Sequence, residues 1–270
     1  MATSANETRP AVVVTGSSTG IGRAVALHLA AQGHPIVLHG RQFSSELVST
    51  CRDVTKAGVE SCVIPADFEE ESAVVRFFQE AIRQFAGPRI WVNMAGANIL
   101  TEGRADASFE RDLEQLWKVD VRGTLLLSRL AAEHIRDAAR SSNPPHTNWG
   151  SIITIGWDQA LTGFAGESGL LFTTAKGGVM AMTASLAKTY APYVRVNCVA
   201  PGWIRTEWGC QANAYWQHRA TNESLMNRWG TPNDIAKAIG FLVSEDASFI
   251  NGQVIALNGG FKNSIEQDNR

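Results

Sequence analysis

The sequence predicts an α/β fold in which helices cover both faces of a mostly parallel sheet. Three observations carry this. Short Val- and Ile-rich runs alternate with amphipathic stretches along the chain. The first such run leads directly into a glycine-rich turn and a helical pattern. No composition shift, internal repeat or low-complexity segment divides the sequence. Strands that alternate with helices of this length pair in parallel through crossover connections, which places helices on both faces.

The elements follow in order. AVVVT at 11–15 is apolar and β-branched throughout, as a strand buried on both faces must be. Residues 21–32 follow as a helix, PIVLH at 35–39 as the second strand and 46–57 as the second helix. SCVIP at 61–65 reads as the third strand, 69–85 as a longer helix and RIWVN at 89–93 as the fourth strand. Helical patterns run through 106–118 and 119–140, then a polar loop with two prolines spans 141–150. SIITI at 151–155 is the fifth strand, 172–190 a long helix, VRVNCVA at 194–200 the sixth strand and QVIAL at 253–257 the seventh. One domain is expected over 10–262, with frayed tails at 1–9 and 263–270.

Composition removes several functions. The chain has 270 residues, 44% of them hydrophobic and 19% charged, with a net charge of −2. No basic excess points to nucleic acid or an anionic membrane surface. The first ten residues lack the apolar core of a secretory leader, and no long uninterrupted apolar window suggests a membrane span. Cysteines at 51, 62, 198 and 210 form no CxxC pair, and no histidine cluster has ligand spacing. Single thiols, no metal site and a reducing cytoplasmic setting are expected.

TGSSTGIG at 15–22 is the first segment that carries chemistry. It runs from Thr15 through Gly16, Ser18, Gly20 and Ile21 to Gly22, between the first strand and the first helix. Glycines let the backbone turn sharply and approach a ligand closely. The helix start adds unpaired N–H groups and a positive dipole end that suit a pyrophosphate. The alternative is an ordinary glycine-rich turn; the strand–loop–helix context favours dinucleotide binding.

The spacing is TGxxxGIG rather than GxGxxG, and it resembles the short-chain dehydrogenase/reductase family. NMAG at 93–96, with Asn93, Ala95 and Gly96, is similar to the family's NNAG. VNCVAPGWIRT at 196–206, with Pro201, Gly202 and Ile204, is similar to its PG segment. The stretch 228–260 resembles the family's C-terminal portion almost throughout. Among family members the chain looks like a divergent relative of the 3-oxoacyl-(acyl carrier protein) reductases. The resemblance implies a Rossmann-type doubly wound sheet of seven strands, a nicotinamide cofactor and a small-molecule substrate. It also implies a substrate lid at 203–229 and a homodimer or homotetramer packed through the long helix and the last strand.

The second strand ends LHGRQ, with His39, Gly40 and Arg41 and no acid. In dinucleotide folds an acid there binds the ribose hydroxyl of NAD, whereas an arginine accommodates the phosphate of NADP. NADP(H) is therefore favoured over NAD(H), against the alternative that Arg41 is a solvated surface residue. Asp67 and Phe68 fall where the family contacts adenine; Asp67 alone would read as a helix cap.

The catalytic positions are where the chain departs from its family. The resemblance implies a tyrosine acid, a lysine one turn later, an orienting serine and an asparagine. Here Phe172 stands at the tyrosine position and Lys176 is retained. Trp157 is the occupant nearest the serine position, with Asp158 and Gln159 beside it, and Asp120 takes the asparagine position. Phenylalanine has no proton to give. Asp158 is a candidate replacement acid, an ordered water being the alternative; burial beside Trp157 raises its pKa and a nearby Lys176 lowers it. Asp120 reads as a partner for Lys176, a second carboxylate or a helix cap. Lys176 shares its helix face with Val179, Thr183 and Leu186, which argues against a bland surface role. Tyr215 is either an inward-reaching group or an ordinary lid aromatic. Trp203, Trp208, Trp216 and Trp229, with Trp157, either wall an aromatic pocket or pack the lid down. Three readings result: an NADP(H)-dependent oxidoreductase with an atypical site, a lyase or isomerase using Asp158 and Asp120, or a cofactor-binding sensor or structural subunit.

Overall fold

The computed structural model describes residues 9–99 and 108–262. The expected tails, apart from Arg9, and the first residues of the helix expected from 106 lie outside the described residues. Seven strands form one parallel sheet in the order β3-β2-β1-β4-β5-β6-β7. They are β1 (Val12–Val14), β2 (Ile36–Leu38), β3 (Ser61–Val63), β4 (Ile90–Asn93), β5 (Gly150–Ile155), β6 (Val194–Pro201) and β7 (Val254–Leu257). From β1 the chain steps outward to β2 and β3, then returns past β1 to β4. That reversal opens a crevice at the carboxyl ends of β1 and β4, the place where doubly wound sheets bind ligands.

Alternation along the strands builds two cores. Val12, Val14, Ile90 and Val92 face one side, where Val25 and Leu29 of α1 (Gly20–Ala31) meet Ile235 and Ile239 of α9 (Pro232–Val243). Val13 and Trp91 face the other, against Phe77 of α3 (Glu71–Ala81) and Ile135 of α5 (Thr124–Ser141). Trp91 has no exposed surface, and truncating such a side chain to alanine costs about 3–5 kcal/mol. The remaining helix of the first half, α2 (Ser45–Lys56), is capped by the Ser44 side chain.

Several elements differ from expectation. The long helix, α6, spans Glu167–Tyr190 and starts right after Gly166, whose φ of 97° breaks the preceding chain. By length and composition alone α6 would pass for a membrane span; its apolar residues instead pack against β5, β6 and α5. The helical run after 108 is not continuous: α4 (Phe109–Leu116) passes through a π-helical segment, Trp117–Gly123, into α5. The segment 203–229, expected from the family resemblance to be a lid, holds α7 (Glu207–Gln211) and α8 (Ala214–Glu223). α9 has a reciprocal capping box between Thr231 and Asp234, with Pro232 in its first turn.

Candidate active site

The glycine turn sits on the crevice. Gly16 has a φ of +62°, and a Cβ there would lie 2.9 Å from Ala95 Cα, so the two loops touch backbone to backbone. A Cβ on Gly22 would fall 2.1 Å from the Gly16 carbonyl oxygen, so α1 packs directly on the turn. Thr19 gives α1 no side-chain cap, leaving first-turn N–H groups for an anion. Thr15 Oγ1 accepts the N–H groups of Met94 and Ala95 at 2.9 and 3.0 Å, tying the turn to the end of β4.

A cleft of about 1930 Å³ runs along this end of the sheet. Gly16, Ser18, Gly20, Ile21 and Gly22 line it, as do Arg41, Asp67 and Phe68. Ala95 and Gly96 line its middle, and Lys176, Pro201, Gly202 and Ile204 its far part. Thr15 and Asn93 lie behind the wall; Asn93 Nδ2 donates to Ser128 Oγ at 2.9 Å. Asp67 Oδ1 accepts the Glu69 N–H at 3.0 Å, a local turn contact.

His39, passed over in the sequence as merely not acidic, is a structural hub. Its Nδ1 accepts the Gly16 N–H at 3.1 Å and its Nε2 donates to the Ala66 carbonyl at 2.9 Å. These bonds require the neutral Nε2–H tautomer. The ring stacks on Phe68 at 4.1 Å. Burial pushes its pKa down to about 4, which keeps it neutral. The signal available in the sequence was only a histidine closing an apolar strand.

The π-helical segment carries Asp120 into the interior. Its side chain is 1% exposed and its Oδ2 lies 2.8 Å from Lys176 Nζ, itself 11% exposed. Asp120 Oδ1 accepts the Ala97 N–H at 2.8 Å, and Lys176 Nζ also donates to the Ile155 carbonyl at 3.4 Å. Of the three readings for Asp120, the geometry is that of the lysine partner and not of a helix cap. Lys176 reaches the cleft beside Phe172 and Trp157.

Asp158 follows Trp157 directly, but Trp157 and not Asp158 lines the cleft. Asp158 begins a short 3-10 turn, Asp158–Ala160. Oδ2 accepts from Asn258 Nδ2 at 3.0 Å, while Oδ1 is buried without a partner. Burial raises its pKa to about 6, opposed by the Asn258 hydrogen bond. The elevated pKa is a burial effect, and the carboxylate that carries it is held by Asn258.

Aromatic rings wall the cleft instead. Trp157, Phe164, Phe172, Trp203, Trp208 and Trp216 all line it. Trp157 meets Phe164 at 5.5 Å and Phe172 at 6.1 Å. Trp203 meets Trp216 at 5.5 Å, and Phe164 stacks with Trp216 at 6.1 Å. Trp229 is 8% exposed and packs against Trp203 behind the cleft lining. Tyr215 is 62% exposed and contacts Trp216 and Arg219 outside the cleft. Ser168, one turn before Phe172 on α6, also lines the cleft and was missed; its i, i+4, i+8 relation to Phe172 and Lys176 was legible.

The family model described as Enoyl-(Acyl carrier protein) reductase matches residues 16–262. The chain is 32% identical over 254 residues to the 3-oxoacyl-(acyl-carrier-protein) reductase FabG of Aquifex aeolicus, covering 92% of this chain and 95% of that one. It is 33% identical over 265 residues to the chloroplastic NADPH-dependent aldehyde reductase 2 of Arabidopsis thaliana, covering 92% of each. The crystal structure of acetoin dehydrogenase from Enterobacter cloacae superposes with a TM-score of 0.81 at 26% identity, covering 97% of this chain and 100% of that one. A glycine turn at the β1–β4 crevice, seven parallel strands in this order and full-length matches of this kind lead to one conclusion: the chain belongs to the short-chain dehydrogenase/reductase family of oxidoreductases.

Proposed function

We propose that the protein is an NADP(H)-dependent oxidoreductase acting on the carbonyl or hydroxyl group of a small molecule, with the Lys176–Asp120 pair in place of a tyrosine acid. The observation that carries this is the buried 2.8 Å ion pair at the cleft wall, beside Phe172 and Trp157 rather than beside a phenol and a hydroxyl. The close Gly16–Ala95 approach and the uncapped start of α1 suit a nucleotide pyrophosphate. Arg41 is exposed at the cleft, and among the described residues no carboxylate pairs with it, which supports a 2′-phosphate partner. Asp67 and Phe68 suit the adenine end.

When bound, the nicotinamide supplies or accepts the hydride. The chain's own residues handle charge and water. Lys176 presents a desolvated ammonium to the substrate oxygen, where it stabilises negative charge far better than water-exposed lysine would. As hydride reaches the carbonyl carbon, the oxygen takes a proton from the Lys176 ammonium, and the amine regains one from solvent through the cleft it lines. Asp120 fixes the ammonium in place and is itself held by the Ala97 N–H. Phe172 and Trp157 keep water from the reacting end. Asp158 has no part in this scheme. A homodimer or homotetramer, carried over from the family resemblance, and a cytoplasmic setting, suggested by the unpaired cysteines, are part of the same reading.

The test is NADPH consumption with a panel of ketones and enones. Lys176→Met should abolish it, while Asp158→Asn should retain it. If Asp158→Asn abolishes turnover, the lysine assignment fails in favour of a carboxylate acid. If folded, nucleotide-bound protein consumes no NADPH with any carbonyl, the oxidoreductase reading fails in favour of a lyase, isomerase or sensor.

A further inference from the structure

We infer that the substrate is a planar aromatic carbonyl compound, held by its ring faces against the Trp157, Phe172, Trp203 and Trp216 wall. This rests on the oxidoreductase reading for the carbonyl and on the wall alone for the ring. Two stretches about thirty residues apart deliver these rings to one cleft: the turn after β5 with α6, and the segment after β6 with α8. Trp229 packs against Trp203 and Trp208 from behind, so the wall is supported on its buried side.

The wall is fixed before any ligand arrives. Trp203 Nε1 donates to Glu223 Oε2 at 2.7 Å, and Glu223 Oε1 accepts from Arg219 Nε at 2.6 Å. The Arg219 guanidinium in turn lies 4.6 Å from the Phe164 centroid and 5.4 Å from that of Trp216. A Glu–Arg clamp therefore sets the orientation of three rings. Preorganised flat surfaces favour flat ligands, since nothing must be ordered on binding and ring–ring contacts add to simple area burial. A flexible chain of equal size gains the area but loses its own rotamers on this surface. At the reacting end Phe172 offers no polar atom, so the side-chain donors of this part of α6 that line the cleft are Lys176 and the Ser168 hydroxyl. That fits a ligand with one polar oxygen on an otherwise apolar ring system.

Calorimetric titration of the full chain, with and without NADP+, tests this with 2-acetylnaphthalene and its decahydro analogue, which has the same heavy atoms but no flat π face. The aromatic ketone should bind about tenfold more tightly, the effect of one to two ring contacts. Trp203→Ala should remove most of that preference while nucleotide affinity stays within about twofold. Trp216→Leu serves as the second variant should Trp203→Ala disturb the lid. Equal affinity for the two ketones, or a preference unchanged in both variants, overturns the inference. The two proposals fail separately. Selective binding without NADPH consumption removes only the redox reading, and NADPH consumption with no preference for the aromatic ketone removes only the aromatic one.

Discussion

Replacing Asp120 with alanine leaves the largely buried Lys176 ammonium at the cleft wall with no counter-charge. The two groups sit 2.8 Å apart with side-chain exposures of 1% and 11%. At an effective dielectric of about 20 their attraction is about 6 kcal/mol, before the cost of taking both charges out of water is subtracted. Removing one partner of such a buried pair costs about 3–5 kcal/mol, because the remaining charge stays desolvated. The Ala97 N–H also loses its acceptor, a further cost of about 1 kcal/mol. Urea unfolding at fixed protein concentration should therefore show Asp120→Ala destabilised by at least about 3 kcal/mol. Lys176→Met alone should be similarly costly, since it strands the carboxylate. The double variant should be much less destabilised than the sum, with a coupling of about 2–3 kcal/mol. A loss below about 1 kcal/mol for Asp120→Ala, or additive single effects, would refute the integral role assigned to this pair.

Two further expectations concern pH. Asp158 titrates at about 6 when folded against 3.8 ordinarily, so between those values the native state holds a proton that the unfolded chain lacks. Its contribution is favourable at low pH and is lost as pH rises through about 6; Asp158→Asn should therefore gain about 2–3 kcal/mol at about pH 8 and little at about pH 4, as measured by paired denaturation curves. A constant difference across that range would contradict the burial argument. His39 has the opposite sign. Its pKa falls from 6.5 to about 4 on folding, so the unfolded chain binds the extra proton in that window. Stability is full above about pH 6.5 and should fall by about 3 kcal/mol towards pH 4. A His39→Gln chain, whatever its absolute stability, should lack that share of the slope; an unchanged slope would remove His39 as its source.

Much of the fold was legible because the buried strands have no polar face to confuse them. The Val12–Val14 run can only be a strand covered on both sides, and each of its residues is fully buried. Helix boundaries were less legible. α6 begins five residues before its expected start because Gly166 breaks the preceding chain, a conformational fact with no periodic signal. The π-helical segment is similarly silent in sequence, yet it is what turns Asp120 inward towards Lys176. α9 carried a readable start in Thr231, Pro232 and Asp234, although only the family resemblance drew attention to that region. Asp158 shows the other limit. Its neighbourhood to Trp157 was correct in sequence, but a single 3-10 turn decides that its carboxylate meets Asn258 rather than the cleft. The tryptophans of the lid were conspicuous by number; which of them face the cleft depends on the Glu223–Arg219 clamp, which no local pattern announces.

Titration calorimetry with NADPH and NADH reaches the centre of the matter, because every proposed role for Lys176, Arg41 and the glycine turn presupposes a bound nucleotide. NADPH should bind at least about tenfold more tightly than NADH, the worth of a single charge-assisted contact from Arg41 to the extra phosphate, and Arg41→Ala should erase the difference. Absence of heat with both nucleotides on folded protein would contradict the nucleotide site itself, and tighter binding of NADH would contradict the assignment of Arg41.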